Sequence, residues 1–382
     1  MRIVFDARRF GQNITGIGRV IDGLLNALVK EDLRNEYLVL VGERNPLAGG
    51  GAANFEVRSI NLGLNSLGVN LVMPRIASSW KADVAYFPFW LMPLRMPCPS
   101  VVAIHDLIYM RYPRLLSYYR RKFLRLYTTL AVRSATRIHS LSSQSKSDLV
   151  RFFRAEADQI DIVPPDADAR FCRRPLAPSE LEELSSKGIS RPFALSVGNH
   201  KPHKNLEGLL RAYQLIAGQI EANLVIVGAN ASHRDFPSLP YPRFCKALSL
   251  EGRVRCVGQV NDEQLTLLYR AAKFLIFPSL YEGFGLPPLE AMRCGTPVIC
   301  SGTSSLPEVV GDAARTFDPQ DISEMANAML EVDQSAQLRE ELTQRGQAQA
   351  GLFSWRTSAR KWLASLKRAA QNGEGKMAGR PG

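Results

Sequence analysis

The 382-residue chain has six cysteines, Cys98, Cys172, Cys245, Cys256, Cys294 and Cys300, but no C-x-x-C pair and no zinc-ligand spacing among them. That argues against a cysteine-built zinc site or a disulfide scaffold, and predicts reduced, mostly buried thiols in a cytoplasmic protein. No uncharged apolar run reaches the roughly eighteen residues of a spanning helix. The opening residues, MRIVFDARRF, carry charge where a secretory signal needs an apolar stretch. The expectation is a cytoplasmic chain, at most peripheral on the inner face of a membrane. A dinucleotide fingerprint is also missing, because the near-match TGIGRV has Ile21 where the third glycine belongs.

What the chain has is length, apolar content and positive charge. It exceeds the size at which one hydrophobic core usually stops growing, so two domains are expected. Hydrophobic residues make up 46%, enough for packed cores rather than disorder. The net charge of +12 points to an anionic partner: nucleic acid, acidic lipid headgroups or a phosphorylated substrate.

Short apolar runs alternate with helical patterns, twice over. The first series is RIVFDA, EYLVLVG, FEVRSI, DVAYFPF, SVVAIHD, TRIHSLS and QIDIVPP; the second is PFALSVG, NLVIVG, RVRCVG, FLIFPS and TPVICS. Their apolar residues are mostly adjacent, as in strands buried on both faces of a parallel sheet. The fold class is therefore α/β, with two doubly wound units over 1–172 and 193–351. Residues 173–192, rich in Pro, Ser and charge, read as the interdomain connection. An amphipathic helix is expected over 352–372, packing back on the first unit, with a disordered tail over 373–382. Two such units facing one another would turn the ends of both sheets onto a shared cleft, where these folds bind ligands.

The stretch PSLYEGFGLPPLEAM, Pro278 to Met292, sets Glu282 and Glu290 around Gly283, Gly285, Pro287 and Pro288. On a continuous helix the two glutamates would lie about 80° apart, but Gly-Phe-Gly and Pro-Pro forbid one. The pattern predicts a loop carrying Glu282 and a helix opening near Pro287 or Pro288, with Glu290 in its first turn. That helix start is a phosphate site by its unpaired N–H groups and dipole. A bland alternative leaves Glu290 as an acid complementing the dipole.

The stretch SLYEGFGLPPLEAM…GTPVI resembles the signature of the family 4 retaining glycosyltransferases, whose paired glutamates form an E-x7-E motif. TGIGRV, AIHDLIY, SVGNHKPHKNL and VRCVGQVNDEQLTLLY fall in the family's order along nearly the whole chain. The resemblance implies a GT-B fold of two Rossmann-like domains, acceptor-binding then donor-binding, and sugar transfer from a nucleotide-sugar. It implies that Lys204 binds the diphosphate, that Glu282 and His105 hold the sugar at the reacting centre, and that Glu290 binds the ribose. It places Gly16, Gly18, Gly198, Lys201, Val257, Phe284, Gly285 and Leu286 around the donor. Arg19 and Asp106 are candidates for acceptor or phosphate contact, and Asp106 can also orient the His105 ring. The family's usual arginine near Gly198 is absent, leaving Lys201 or His203 in its place, and the more usual Gly-Gly pair is Thr15-Gly16.

Physical reasons accompany these assignments. A lysine at a strand end stabilises the charge of a departing diphosphate without a metal. Asp166-Ala-Asp168 matches the D-x-D pattern that binds divalent cations in another glycosyltransferase fold, but Asp168 suits a turn-fixing role. No metal or cofactor is expected. Two stretches, Tyr112 to Arg137 and Ser354 to Gln371, interleave basic residues with aromatics at helical spacing. In the second, Trp355, Ala359, Trp362, Leu366 and Ala369 form one stripe. Each reads either as a helix packed on the protein or as a surface for an anionic membrane or lipid-linked acceptor.

Together these features predict a retaining, metal-independent transferase. Mannose from GDP-mannose is the first expectation by family frequency, UDP-sugars the second, with a saccharide or lipid-linked acceptor of surface polysaccharide and no nucleic-acid partner. The rivals are a non-catalytic basic nucleic-acid-binding protein, and an epimerase or phosphorylase of the same fold.

Overall fold

The computed structural model describes residues 1–10, 16–42, 44–48, 50–63, 66–228 and 241–378. The chain forms two compact units. One comprises Met1–Arg111, Tyr118–Asp166 and Phe353–Gly382; the other comprises Tyr112–Ser117 and Ala167–Leu352.

The first unit is built on seven parallel strands: β1 (Arg2–Asp6), β2 (Glu36–Val41), β3 (Phe55–Ser59), β4 (Val84–Phe87), β5 (Ser100–Ala103), β6 (Arg137–Ser140) and β7 (Ile160–Ile162). Their order is β3-β2-β1-β4-β5-β6-β7. β1 lies between β2 and β4, with Ile3 opposite both Tyr37 and Val84. Such a central strand is covered on both faces, which is why Ile3, Val4 and Phe5 are all buried.

The second unit has six parallel strands: β8 (Phe193–Val197), β9 (Asn223–Val227), β10 (Val254–Gly258), β11 (Phe274–Phe277), β12 (Val298–Ser301) and β13 (Ala314–Phe317). The order β10-β9-β8-β11-β12-β13 reverses direction between β8 and β11. Chain connections leave those two strands on opposite sides, so their carboxyl ends open a crevice, the usual ligand position in doubly wound sheets. The loops that start there are 198–205 and 278–285. These carry Lys204 and Glu282.

Several sequence expectations need correction. β13 has no counterpart in the predicted series, because ARTF is short, polar and only partly buried apart from Phe317. Residues 173–192, read from the sequence as the interdomain connection, group with the second unit. They contain the helix Pro178–Ser186, started by Pro178 and by Glu180, which accepts the Ala177 N–H at 2.8 Å. Glu180 also pairs with the buried Arg270 at 2.6 Å, fastening that helix down. The first unit's opening run ends at Asp166 rather than at residue 172.

After Leu352 the chain returns to the first unit as the helix Trp355–Ala378. Ala359, Trp362, Leu366 and Ala369 are fully buried there beside Phe5, Tyr37 and Tyr86. The 3.6-residue period places all four on one stripe, and the stripe completes a core instead of meeting solvent. The expected disordered tail is helical as far as Ala378; residues 379–382 lie outside the described residues.

Candidate active site

At the end of β8 the chain turns through Gly198 into a single 3-10 turn, Pro202–Lys204. Asn205, in the left-handed region at φ 53°, then opens the helix Leu206–Ile216. The Lys204 stem lies back over Gly198, where a Cβ would stand 3.4 Å from Lys204 Cδ. Lys204 Nζ reaches Glu282 Oε1 at 2.6 Å, and both side chains are 15% exposed. The ammonium also sits 5.2 Å from the centre of the Phe277 ring. The Leu280 N–H donates to the His203 carbonyl at 2.7 Å, tying the two loops together at the switch point.

The Glu282 loop is held from its other side by the turn 303–305. Glu282 N–H donates to Ser304 Oγ at 3.2 Å, and Ser304 Oγ donates back to the Glu282 carbonyl at 2.7 Å. Ser305 Oγ lies 2.9 Å from that carbonyl and 2.6 Å from the Phe284 carbonyl, with a proton for one at a time. Ser304 adopts φ 60°, an unusual conformation for a residue with a side chain. Neither serine was singled out from the sequence, since a Thr-Ser-Ser turn looks like any polar loop.

Gly285 takes φ 136°, a region nearly closed to other residues, and a Cβ there would meet Leu306 Cδ2 at 2.8 Å. The helix that follows is Leu286–Arg293, starting slightly earlier than predicted. Its prolines contribute no N–H, so the first turn offers Leu286 as donor ahead of Leu289. Glu290 therefore stands in the second turn, not the first. It is 3% exposed, and Oε2 accepts the Tyr269 hydroxyl at 2.9 Å. A buried, hydrogen-bonded carboxylate beyond the first turn is not a dipole-complementing surface acid, so that alternative falls. Tyr269, in the helix Asp262–Ala271, was another residue missed from the sequence.

Lys201 and His203 were the two stand-ins for the missing arginine. Burial pushes His203 down to about 2, helped by the neighbouring charges of Lys204 and Lys201. Both residues lie in the loop that leads from β8 to the helix Leu206–Ile216. Val257 lines a separate cavity of about 340 Å³ with Leu184, Ile189, Leu267 and Leu268. None of the other predicted donor residues lines that cavity. Phe284 is buried and Leu286 opens its helix beside Gly285.

In the first unit, Gly16 and Gly18 are not loop residues; they lie in the first turn of the helix Gly16–Glu31, with Arg19 next along it. Thr15 lies outside the described residues. His105 follows β5. Its Nε2 is 2.7 Å from the Pro88 carbonyl, and since a carbonyl only accepts, Nε2 carries the proton. Loss of hydration lowers the His105 pKa, against the opposing pull of the Pro88 bond and the Asp106 charge. The ring is oriented by Pro88 rather than by Asp106, whose Oδ1 accepts the Ile108 N–H at 3.2 Å.

Asp166 and Asp168 fall in different units. Asp168 Oδ1 accepts from the Arg170 N–H at 2.9 Å and from its Nε at 2.8 Å, fixing the turn. Among the described residues no group of three His, Cys, Asp or Glu is arranged to hold a metal ion. No described helix is long and apolar enough to cross a membrane.

A family model described as Glycosyltransferase Family 4 matches residues 14–170, and one described as Glycosyl transferases group 1 matches residues 182–349. The chain is 33% identical to O-antigen chain mannosyltransferase B of Escherichia coli, over 75% of each protein. This chain belongs to the family 4 glycosyltransferases. The serotype-specific mannosyltransferase WbdA of Escherichia coli is 27% identical over 74% of the chain, which spans only 35% of that protein. Among solved structures, Anabaena Alr3699/HepE in complex with UDP-glucose matches with a TM-score of 0.76, at 19% identity over 96% of this chain and 100% of that one. This family 4 member accordingly has the GT-B fold, with one parallel-sheet α/β domain in each unit. It is a glycosyltransferase, and the rival reading as a non-catalytic basic protein has no support among these relatives.

Proposed function

We propose that the enzyme is a retaining, metal-independent mannosyltransferase, using GDP-mannose to extend a saccharide or lipid-linked saccharide of surface polysaccharide. The observation that carries this reading is the Lys204–Glu282 pair at the β8/β11 switch point, with the Leu286 helix start and the buried Glu290 following from the same loop. The names of the Escherichia coli relatives, mannosyltransferases of which one is an O-antigen chain enzyme, support mannose as the sugar and an O-antigen-like chain as the product.

Lys204 takes the diphosphate charge, with the Leu286 N–H at the positive end of its helix. Glu282 accepts from sugar hydroxyls, and Glu290, oriented by Tyr269, accepts from the ribose. His105 has Nε2 committed to Pro88, so Nδ1 is the ring nitrogen that can accept a hydrogen bond. The bond from the anomeric carbon to phosphate oxygen breaks as the acceptor oxygen bonds to the same face. The acceptor's proton passes to the leaving phosphate oxygen, so no carboxylate attacks carbon and no metal is required.

The acceptor's lipid end suggests a peripheral membrane location. The helix Tyr118–Ser134 exposes Tyr118, Tyr119, Phe123 and Leu126 among Arg120, Arg121, Lys122 and Arg125. The deciding experiment incubates the enzyme with GDP-mannose or UDP-sugars and a mannan acceptor, with and without EDTA, and reads the anomeric configuration by NMR. An α-mannoside formed from GDP-mannose at an undiminished rate in EDTA is expected. An inverted product, or activity restored only by Mn²⁺, would overturn the mechanism.

A further inference from the structure

The two charged groups at the switch point satisfy each other. Lys204 Nζ donates to Glu282 Oε1 at 2.6 Å, with both side chains 15% exposed, so water screens the pair only in part. The partners differ in freedom. The Glu282 main chain is tied at N–H and carbonyl to Ser304, with Ser305 Oγ 2.9 Å from that carbonyl. Lys204 hangs on a long stem laid over Gly198. The 303–305 turn braces the Glu282 backbone, and Lys204 carries its charge on the longer stem with more rotatable bonds.

We infer that this pair makes the site select an intact nucleotide-sugar over the free nucleoside diphosphate, with Glu282 as the residue that rejects the latter. The inference rests on the proposed role of Lys204 as diphosphate ligand. A diphosphate that draws Lys204 away leaves Glu282 without its countercharge, in a partly desolvated place, and brings further negative charge towards it. At that end a nucleoside diphosphate offers mainly acceptors, so the carboxylate gains nothing in exchange. An intact donor brings sugar hydroxyls, and each can donate to Glu282 as Lys204 turns to the phosphates. The carboxylate therefore penalises the product and is satisfied by the substrate. This is negative selection built from one residue, and it also eases departure of the diphosphate after transfer.

The test is titration calorimetry of the full chain, without acceptor, using GDP and GDP-mannose, with UDP and UDP-glucose in parallel. Glu282→Gln and Glu282→Ala should each bind the diphosphate about tenfold more tightly than wild type, equivalent to roughly 1.4 kcal/mol. Their preference for the intact donor over the diphosphate should shrink, and the gain should vanish when Lys204→Gln is added. Thermal unfolding of both Glu282 variants checks that they are folded, and two different replacements guard against a failure of either one. If Lys204→Gln weakens diphosphate binding while both Glu282 variants bind it no better than wild type, the selection role is wrong and the Lys204 reading stands. If no nucleoside diphosphate binds the wild type or either Glu282 variant, or Lys204→Gln leaves diphosphate and donor binding unchanged, both are overturned.

Discussion

Glu290 shows what burial adds to a motif residue. On a surface helix turn its loss would change little, but here it is buried and held by Tyr269 at 2.9 Å. If it binds the ribose, Glu290→Ala should weaken nucleoside diphosphate binding by roughly 1.5–3 kcal/mol, since charge-assisted hydrogen bonds are lost. Tyr269→Phe leaves the carboxylate in place but removes one orienting donor, so a loss of about 1 kcal/mol is expected in the same calorimetric titration. Equal affinities for all three proteins would leave Glu290 a structural acid. Gly285 makes a second residue-scale prediction. At φ 136°, with Leu306 2.8 Å from a would-be Cβ, Gly285→Val must distort the loop that joins Glu282 to the helix Leu286–Arg293. Donor binding and turnover should fall together, with a stability cost on the order of 1–3 kcal/mol seen by denaturant unfolding. A variant with wild-type kinetics would separate this loop from the chemistry.

At the scale of elements, the C-terminal helix is an integral part of the first unit. Trp362 packs within 5.1 Å of the Tyr86 ring centre and 5.8 Å of that of Phe5. Around it, Arg356 meets Glu31 at 2.9 Å and Arg368 meets Asp161 at 2.7 Å. Trp362→Ala should cost roughly 3–5 kcal/mol in chemical denaturation, as expected for a buried large-to-small change. Removing Arg356 should cost far less, because exposed ion pairs contribute little. A strand makes the next prediction. His139 on β6 is buried, its two ring nitrogens have no hydrogen-bond partner among the described residues, and burial pushes its pKa down to about 3 from 6.5. The folded state refuses a proton that the unfolded chain accepts below pH 6.5. Its stabilising contribution is therefore complete above about pH 6.5 and shrinks as the pH falls towards 3. The melting temperature of His139→Phe should decline less steeply than that of wild type across this window. An unchanged slope would assign the acid sensitivity to other groups.

For the whole molecule, the net charge of +12 is the field that any anionic partner meets. Two basic aromatic helices competed for a membrane role, and burial separates them. The stripe of the helix Trp355–Ala378 is consumed by the first unit's core, whereas Tyr119 is 84% exposed and Leu126 56% exposed in the helix Tyr118–Ser134. Liposome co-sedimentation should show binding to phosphatidylglycerol vesicles that weakens with salt and is absent on phosphatidylcholine alone. Changing Arg121, Lys122 and Arg125 to Gln should lower that binding by about 1 kcal/mol per charge near the surface. Equal binding by wild type and this variant would move the contact elsewhere.

The sequence by itself determined the parallel α/β class, twelve of the strands, and the Glu282 loop with the helix that carries Glu290, because these depend on local apolar runs and on Gly and Pro punctuation. The stripe on the last helix was legible for the same reason: a 3.6-residue period is written in consecutive residues. Only the tertiary structure decided what faced that stripe, since Phe5, Tyr37 and Tyr86 come from strands hundreds of residues away. It also showed that residues 173–192 join the second unit, held by an ion pair between Glu180 and Arg270, ninety positions apart. Ser304, Ser305 and Tyr269 had no signal of their own, because a hydroxyl's partner is set by where the folded chain brings it. The pairing of Lys204 with Glu282 belongs to the same class. Their separation of 78 residues is bridged by the adjacency of β8 and β11, a strand order that no local pattern encodes.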